Sequence, residues 1–365
     1  VAGVIVHEWL EPLGGAEKVM EEIAALYPDS PIRCLWNDAP QRFESSRVTE
    51  TWLARTPLRR HKALALPIMP EVWRHLGSSD AEWILSSSHL FAHHARFSGP
   101  ARNAPKYVYA YTPARYIWEP DADVRGNSFG ARAVSRPLRA LDRRRAQEPK
   151  SIAAISEFVR ERIKRDWGRD SIVIYPPVDI AAFADDAPGE LTEGEQQILD
   201  SLPDTFVMGA SRFIPYKRLD LVIQLGVAAD VHVVLAGNGP SMGELRALAD
   251  QHPGQVTFVD RPSLALLREL YRRALVYVFP PIEDFGIMPV EAMATGTPVI
   301  ARSFGGAAET VVDGVTGALL PNFTETEMRE AVDRVASIDP AACKAQADQF
   351  TRAAFHKGMT DWVGS

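Results

Sequence analysis

The chain has 365 residues, enough for about two domains at roughly 150 residues each. Hydrophobic residues make up 46% and charged residues 24%, which excludes disordered and fibrous classes. A formal net charge of -7 argues against nucleic acid as the main partner, and no apolar run approaches the ~20 residues of a membrane span.

In chain order, Val1-Ala2-Gly3-Val4-Ile5-Val6 lacks a basic leader and predicts a buried strand at Val4–Val6 rather than a signal peptide. Pro12-Leu13-Gly14-Gly15-Ala16-Glu17 follows, ahead of a helix at Ala16–Leu26. Paired glycines there let a backbone approach a phosphate, and the plainer reading is a tight strand-to-helix turn. Strands are predicted at Trp83–Ser86, Tyr107–Tyr111 and Ser151–Ile155. His89 follows the first of these, as a ligand-facing residue or as a histidine satisfied by Ser86, Ser87 and Ser88. Asp121-Ala122-Asp123 spells a metal-binding pattern, but among 47 acidic residues such a triplet is expected by chance.

From Arg132 to Lys150 the basic residues Arg132, Arg136, Arg139, Arg143, Arg144, Arg145 and Lys150 face only Asp142 and Glu148. This run reads first as a solvated helix face. Its second reading is peripheral contact with an anionic membrane or an anionic acceptor. Cys34 and Cys343 are two lone thiols without metal-ligand spacing, so a reducing, cytoplasmic address is expected, extended by the second reading to the inner face of the membrane.

The stretch from Pro176-Pro177-Val178-Asp179 to about Pro203, rich in proline, glycine and acids, predicts a linker and the entry to a second domain. Beyond it, Thr205–Ala210, His232–Ala236, Val256–Val259, Val276–Phe279 and Pro298–Ala301 are continuous apolar strands of the kind buried on both faces. Helical patterns at Arg218–Leu225, Met242–Gln251, Leu264–Arg273 and Val290–Ala294 alternate with them. The pattern predicts two doubly wound α/β domains with a cleft between them and ligands beyond the carboxyl ends of the strands.

Two loops carry the strongest chemistry. In Pro280-Pro281-Ile282-Glu283-Asp284-Phe285-Gly286-Ile287-Met288-Pro289-Val290-Glu291, Gly286 and Pro289 forbid one continuous helix. Glu283 is therefore expected in a loop and Glu291 inside a helix that Pro289 helps to begin. The amides of Phe285, Gly286, Ile287 and Met288 would face an anionic or hydroxylated ligand. The bland alternative is an acid complementing a helix dipole. In Ser211-Arg212-Phe213-Ile214-Pro215-Tyr216-Lys217-Arg218, two cations five residues apart, Arg212 and Lys217, can clamp a diphosphate. Ala236-Gly237-Asn238-Gly239-Pro240 follows a strand, but Gly243 comes one position late for a dinucleotide fingerprint, which lowers the case for a nicotinamide enzyme.

Taken together, these segments resemble glycosyltransferase family 4, retaining enzymes of the GT-B fold, over nearly the whole chain. The resemblance also rests on Ser156-Glu157-Phe158-Val159, Tyr175-Pro176-Pro177-Val178-Asp179, Lys217-Arg218-Leu219-Asp220, Ala294-Thr295-Gly296-Thr297-Pro298-Val299, Gly305-Gly306 with Glu309, and Asp313-Gly314 with Thr316-Gly317. Within the family the look is closest to bacterial mannosyltransferases of O-antigen and exopolysaccharide assembly.

The resemblance implies two Rossmann-like domains, 1–178 on the acceptor side and 179–345 binding the nucleotide sugar, with 346–365 crossing back to brace the first. It implies transfer of a hexose, in this reading mannose from GDP-mannose, with retention and without metal or other cofactor, to a polysaccharide, lipid-linked or small-molecule glycan. Arg212 and Lys217 would hold the donor diphosphate, with Gly14 and Gly15 closing on it. Glu283 would bind sugar hydroxyls, Glu291 the ribose, and Arg261 the nucleobase region, where Asp260 replaces the usual glycine. Tyr111, in Tyr109-Ala110-Tyr111-Thr112-Pro113-Ala114-Arg115, stands where relatives carry histidine. With a pKa near ~10 it is a poor base at neutral pH, and it is expected to donate a hydrogen bond to the transferred sugar. His89 and Arg115 would line the acceptor side. The alternatives are a UDP-sugar donor, an epimerase on the same scaffold, and a weakened donor-binding scaffold subunit.

Overall fold

The computed structural model describes residues 3–12, 14–119, 129–187 and 189–364, without the side chains of residues 129–134. The Asp121-Ala122-Asp123 triplet, the Arg132 side chain, Val1, Ala2, Leu13 and Pro188 lie outside the described residues. The chain divides into two units, Val1–Pro177 with Ala353–Ser365, and Val178–Arg352.

Among the described residues, the first unit holds seven strands: β1 (Gly3–His7), β2 (Ile32–Cys34), β3 (Val48–Glu50), β4 (Trp83–Ser88), β5 (Lys106–Ala110), β6 (Ser151–Ala154) and β7 (Ile172–Val173). They pair in parallel in the order β3-β2-β1-β4-β5-β6-β7. Every residue of β1, β4 and β5 is buried, because helices cover both faces of such a sheet. Those helices are α1 (Gly15–Leu26), α2 (Lys62–Ala65), α3 (Met69–Arg74), α4 (Arg115–Trp118), α5 (Phe129–Arg145) and α6 (Glu157–Trp167). Ser156 caps α6 by accepting the Val159 amide at 3.0 Å.

The second unit holds β8 (Phe206–Ala210), β9 (His232–Ala236), β10 (Val256–Val259), β11 (Val276–Phe279), β12 (Val299–Arg302) and β13 (Gly317–Leu320) among the described residues. They form a parallel sheet in the order β10-β9-β8-β11-β12-β13, the doubly wound dinucleotide-binding order. Its helices are α7 (Glu193–Ser201), α8 (Leu219–Ala229), α9 (Met242–Ala249), α10 (Leu264–Arg273), α11 (Ile287–Ala294), α12 (Ala307–Thr310), α13 (Glu325–Val335) and α14 (Pro340–Ala347). The last helix, α15 (Arg352–Val363), packs on the first unit. Phe355 meets Tyr109 edge-on at 5.7 Å, and the Trp362 indole donates to Ser151 Oγ at 2.8 Å.

The stretch expected as a linker is corrected. A helical turn at Ile180–Phe183 and α7 belong to the second unit, and α7 begins with a full capping box between Thr192 and Glu195. A proline- and acid-rich composition was outweighed there by one well-capped turn. The basic run is also largely spent inside the first unit. Arg139 donates to the Ile117 carbonyl, Arg143 to the Asp166 carbonyl, Arg145 pairs with Glu148, and Lys150 donates to Tyr107. Arg139 and Arg143 fasten α5 to its neighbours, and among the described residues the cations of the run left without such a contact are Arg136 and Arg144.

At the centre of that packing sits Asp142, fully buried on α5. One carboxylate oxygen accepts the indole N–H groups of Trp118 and Trp167, each at 2.7 Å. The other lies 2.9 Å from His94 Nε2 and 3.0 Å from His93 Nε2. Burial alone would raise the Asp142 pKa, but His93 and His94 hold it below the usual carboxylate range. Among the described residues, His93, His94 and Asp142 form a group whose donor atoms could converge on a metal. Both carboxylate oxygens are already occupied by these four neighbours, so the group acts as a polar hub joining α4, α5, α6 and the turn after β4.

Candidate functional site

In each sheet the winding reverses beside the first strand, between β1 and β4 and between β8 and β11. Doubly wound sheets bind ligands beyond the strands' carboxyl ends at that reversal. The loops after β8 and β11 in the second unit, and after β1 and β4 in the first, are therefore where function is sought.

After β8, buried Phe213 anchors the loop Ser211–Arg218 to the loop after β9: its amide donates to the Asn238 carbonyl and its carbonyl accepts the Ser241 amide, both at 2.9 Å. That approach requires Gly237, which adopts φ +133° and where a Cβ would stand 1.9 Å from the Ser211 carbonyl oxygen. A short 3-10 turn, Pro215–Lys217, then rotates Lys217 inward to 9% exposure while Arg218 turns outward to pair with Asp220. Lys217 Nζ is ion-paired with Glu283 Oε1 and lies 5.9 Å from the Phe279 ring. The structure thus joins the two motif loops directly.

Arg212, at the start of the same loop, is exposed and has no side-chain partner among the described residues. It lines an open pocket of about 360 Å³ with Ser211, Gly237, Asn238, Gly239 and Arg261. Arg261 follows β10 in the left-handed region at φ +43°, uncommon for a residue with a side chain. Beside it, the Asp260 carboxylate accepts the Asn238 amide at 2.6 Å. Two cationic side chains beside glycine backbone in one pocket suit a nucleotide's phosphate and base.

The loop after β11 behaves as its sequence predicts. Glu283 lies in the loop and Glu291 within α11, which begins at Ile287 with Gly286 as its N-cap at φ +112°. No side chain caps α11, so the Ile287 and Met288 amides at its start are open to a ligand. Phe285 is buried and stacks edge-on with Phe350 at 5.6 Å, fixing the loop from below. The Glu283 carbonyl accepts the Gly306 amide at 2.7 Å. At that contact a Cβ on Gly306 would stand 2.3 Å from Phe285 Cα and 2.4 Å from the Asp284 oxygen, both backbone atoms. Gly306→Ala is therefore expected to displace the Glu283 loop at a cost of about 1–3 kcal/mol. Nucleotide affinity measured by calorimetry should fall while the protein still melts cooperatively.

Sequence reading missed Tyr277, which sits inside β11. Its hydroxyl donates to the Ala210 carbonyl at 3.0 Å and lies 3.6 Å from Met288 sulfur, tying the end of β8 to α11. Burial, then the charges of Glu291 and Glu283, push the Tyr277 hydroxyl pKa well up. A tyrosine inside a strand gives no sign in sequence of these contacts to β8 and α11.

In the first unit, Gly14 is the N-cap and Gly15 the first residue of α1, and Arg115 opens α4 half-buried. The role expected for Tyr111 is corrected. Its one hydroxyl hydrogen goes to the Ala16 carbonyl at 3.1 Å, and its oxygen then accepts from Ser87 at 2.9 Å. Ser87 in turn accepts from His7 Nδ1 at 3.0 Å, which leaves His7 Nε2 as a buried acceptor without a partner among the described residues. Tyr111 is thus a strut between β5 and α1, already committed. Nor is His89 satisfied by its serine neighbours, because Ser87 engages His7 and Ser88 engages His93.

His89 keeps 25% of its side chain exposed, set edge-on against Trp9 at 4.9 Å with its Nδ1 3.7 Å from Glu8 Oε2. Glu8 was also missed. It is fully buried after β1, accepting the Leu90 amide at 2.9 Å and the Ala92 amide at 2.6 Å. An acid at the carboxyl end of a buried strand was the available signal.

Three histidines, His7 and His94 fully buried and His89 partly so, make stability depend on pH. Burial, then the His89 charge, lowers the His7 pKa to about 4; burial, then Lys62, lowers His89 to about 4; burial, then His93, lowers His94 to about 3. The unfolded chain takes up these protons below about pH 6.5 and the folded one does not, so stability is full above that pH and falls toward pH 4. Melting curves across this window should show the loss, roughly 3 kcal/mol from His7 alone. A flat profile down to about pH 4 would contradict the neutral, buried assignment.

The paired doubly wound units define the class of protein: a GT-B fold. Solved structures share it across the chain: Anabaena HepE in complex with UDP aligns with a TM-score of 0.71 at 19% identity over 99% of both chains. Sucrose-phosphate synthase from Thermosynechococcus elongatus aligns at 0.69 with 17% identity over 100% of this chain and 98% of that one. Residues 194–354, nearly all of them in the second unit, match the family described as Glycosyl transferases group 1. A D-inositol 3-phosphate glycosyltransferase of Mycobacterium sp. (strain KMS) is 33% identical over 184 residues, 48% of this chain and 41% of that protein. The matched stretch is thus less than half the length of that relative.

Proposed function

We propose that the protein is a retaining glycosyltransferase that transfers a hexose from a nucleotide sugar to a glycan acceptor without a metal or other cofactor. The observation that carries this reading is the Lys217–Glu283 pair at the sheet's reversal point, with Arg212 and Arg261 lining the adjacent pocket. Arg212 and Lys217 hold the diphosphate, Glu283 and the Ile287 and Met288 amides hold the sugar, and Glu291 takes the ribose. As the bond between sugar C1 and the diphosphate oxygen breaks, the cations stabilise charge on the departing nucleoside diphosphate. The acceptor oxygen bonds to C1 on the same face, and its proton passes to the leaving phosphate oxygen, so no protein base is required. The acceptor is a polysaccharide, lipid-linked or small-molecule glycan, and His89 of the first unit is assigned to its binding.

In the finer reading the donor is GDP-mannose. The Asp260 carboxylate beside the pocket supports it, since guanine offers two neighbouring donors on its Watson–Crick edge where uracil offers one. The second reading is a UDP-sugar, favoured by the fold shared with Anabaena HepE, which is solved with UDP and with UDP-glucose. A panel of nucleotide sugars, incubated with chelator and read by mass spectrometry, tests both. Release of one nucleoside diphosphate without added metal is the expected result. Neither turnover nor nucleotide binding across the panel would sink the proposal, and a donor converted to its epimer without transfer would reassign it.

A further inference from the structure

Between β3 and α3 the chain runs from Thr51 to Pro70 without a single acidic residue, in a protein of net charge -7. Two 3-10 turns, Trp52–Arg55 and Pro57–Arg60, lead into the four-residue α2. Leu53, Ala65 and Met69 point into the core and fix the segment to the first unit. Other large apolar side chains of the same stretch do the opposite: Trp52 is 53% exposed, Leu64 66% and Ile68 37%. Pro57 and Pro67 are exposed with them.

The charges divide in the same way. Arg59 pairs with Asp38, and Lys62 pairs with Glu11 and lies over the Trp9 ring. Arg55, Arg60 and His61 are exposed, and neither arginine has a side-chain partner among the described residues. The segment therefore holds itself in place with one set of side chains and offers solvent another: a tryptophan, a leucine, an isoleucine, two prolines and two unpaired arginines. Exposing that much apolar surface costs free energy unless something covers it.

We propose that the segment 52–68 docks on an anionic lipid surface. Tryptophan favours the headgroup level of a bilayer, leucine and isoleucine the acyl boundary just below, and arginines the phosphates around them. A protein partner could match the apolar part, but an acid-free stretch with unpaired arginines in an acidic protein complements an extended negative surface. Among the described residues, the basic run on α5 shows no large exposed apolar side chain and has committed most of its cations internally, so it is the weaker candidate for this role. The proposal is independent of the transferase reading.

Flotation of the full chain with vesicles tests it. The protein is expected to float with vesicles of phosphatidylglycerol mixed with phosphatidylcholine, and to stay in solution with phosphatidylcholine alone. Arg55→Gln and Arg60→Gln should each lower partitioning about fivefold, and added salt should weaken it. Trp52→Ala with Leu64→Ala should lower it about tenfold or more. All four side chains are exposed, so unchanged melting temperatures will show that the fold survives. No flotation with anionic vesicles, equal flotation on neutral ones, or variants that float like the parent would overturn the proposal. Self-association in the absence of lipid that Trp52→Ala abolishes would also overturn it, assigning the surface to a second copy of the chain.

Discussion

Lys217→Ala is expected to lower glycosyl transfer about 10²–10³-fold, the usual effect of removing one group that stabilises a departing anion. Lys217 is held in place by the 3-10 turn ahead of it and by Glu283, so its charge is aimed before any ligand arrives. Glu283→Gln keeps the shape of the carboxylate and removes its charge. It should produce a loss of similar order, because the lysine then loses its counter-charge and the sugar hydroxyls lose a strong acceptor. Because the two side chains touch, their effects should not add, and the double variant should be little worse than either single one. Steady-state transfer rates for the three variants, each checked for a cooperative melt, decide the matter. Additive losses would mean that the pair does not act as one unit.

Asp142→Ala is expected to destabilise the first unit by about 3–5 kcal/mol, the range for leaving buried polar partners uncompensated. Two indole N–H groups and two imidazoles converge on that carboxylate, and water cannot replace it at zero exposure. Asp142→Asn should recover little, because its NH₂ group must face either the indole donors or the histidines. Thermal melting should show the drop, while calorimetric affinity for the donor nucleotide, whose proposed site lies in the second unit, should hardly change. A melting temperature equal to the parent's would remove the hub from the account of stability.

The second unit was the more legible half. Its strands are uninterrupted apolar runs bounded by glycine, proline or charge, and β9, β10 and β11 fall where sequence puts them. Gly286 and Pro289 also place Glu283 in a loop and Glu291 in a helix from local chemistry alone. What stayed hidden depends on partners distant in sequence. β2, β3 and β7 are two or three residues long and have no periodicity to detect. Asp142 looked like a minor counter-charge in a basic stretch, yet its partners lie at positions 93, 94, 118 and 167. Tyr111 could be read as a sugar-facing group until Ala16 and Ser87 claimed its hydroxyl.

The chain leaves the first unit at Pro177 and re-enters it at Ala353, so the second unit is an insertion within the first. Its two ends are joined, since Val178 bridges Thr351 and the Val178 amide donates to the Phe350 carbonyl at 2.8 Å. A module whose entry and exit strands are already stitched together can be exchanged as a cassette without moving the ends it leaves behind. Swapping 178–352 between relatives would then exchange the pocket lined by Arg212 and Arg261 and leave β1 to β7 and the closing helix as they are. The segments most worth grafting are bounded by this bridge rather than by any visible linker.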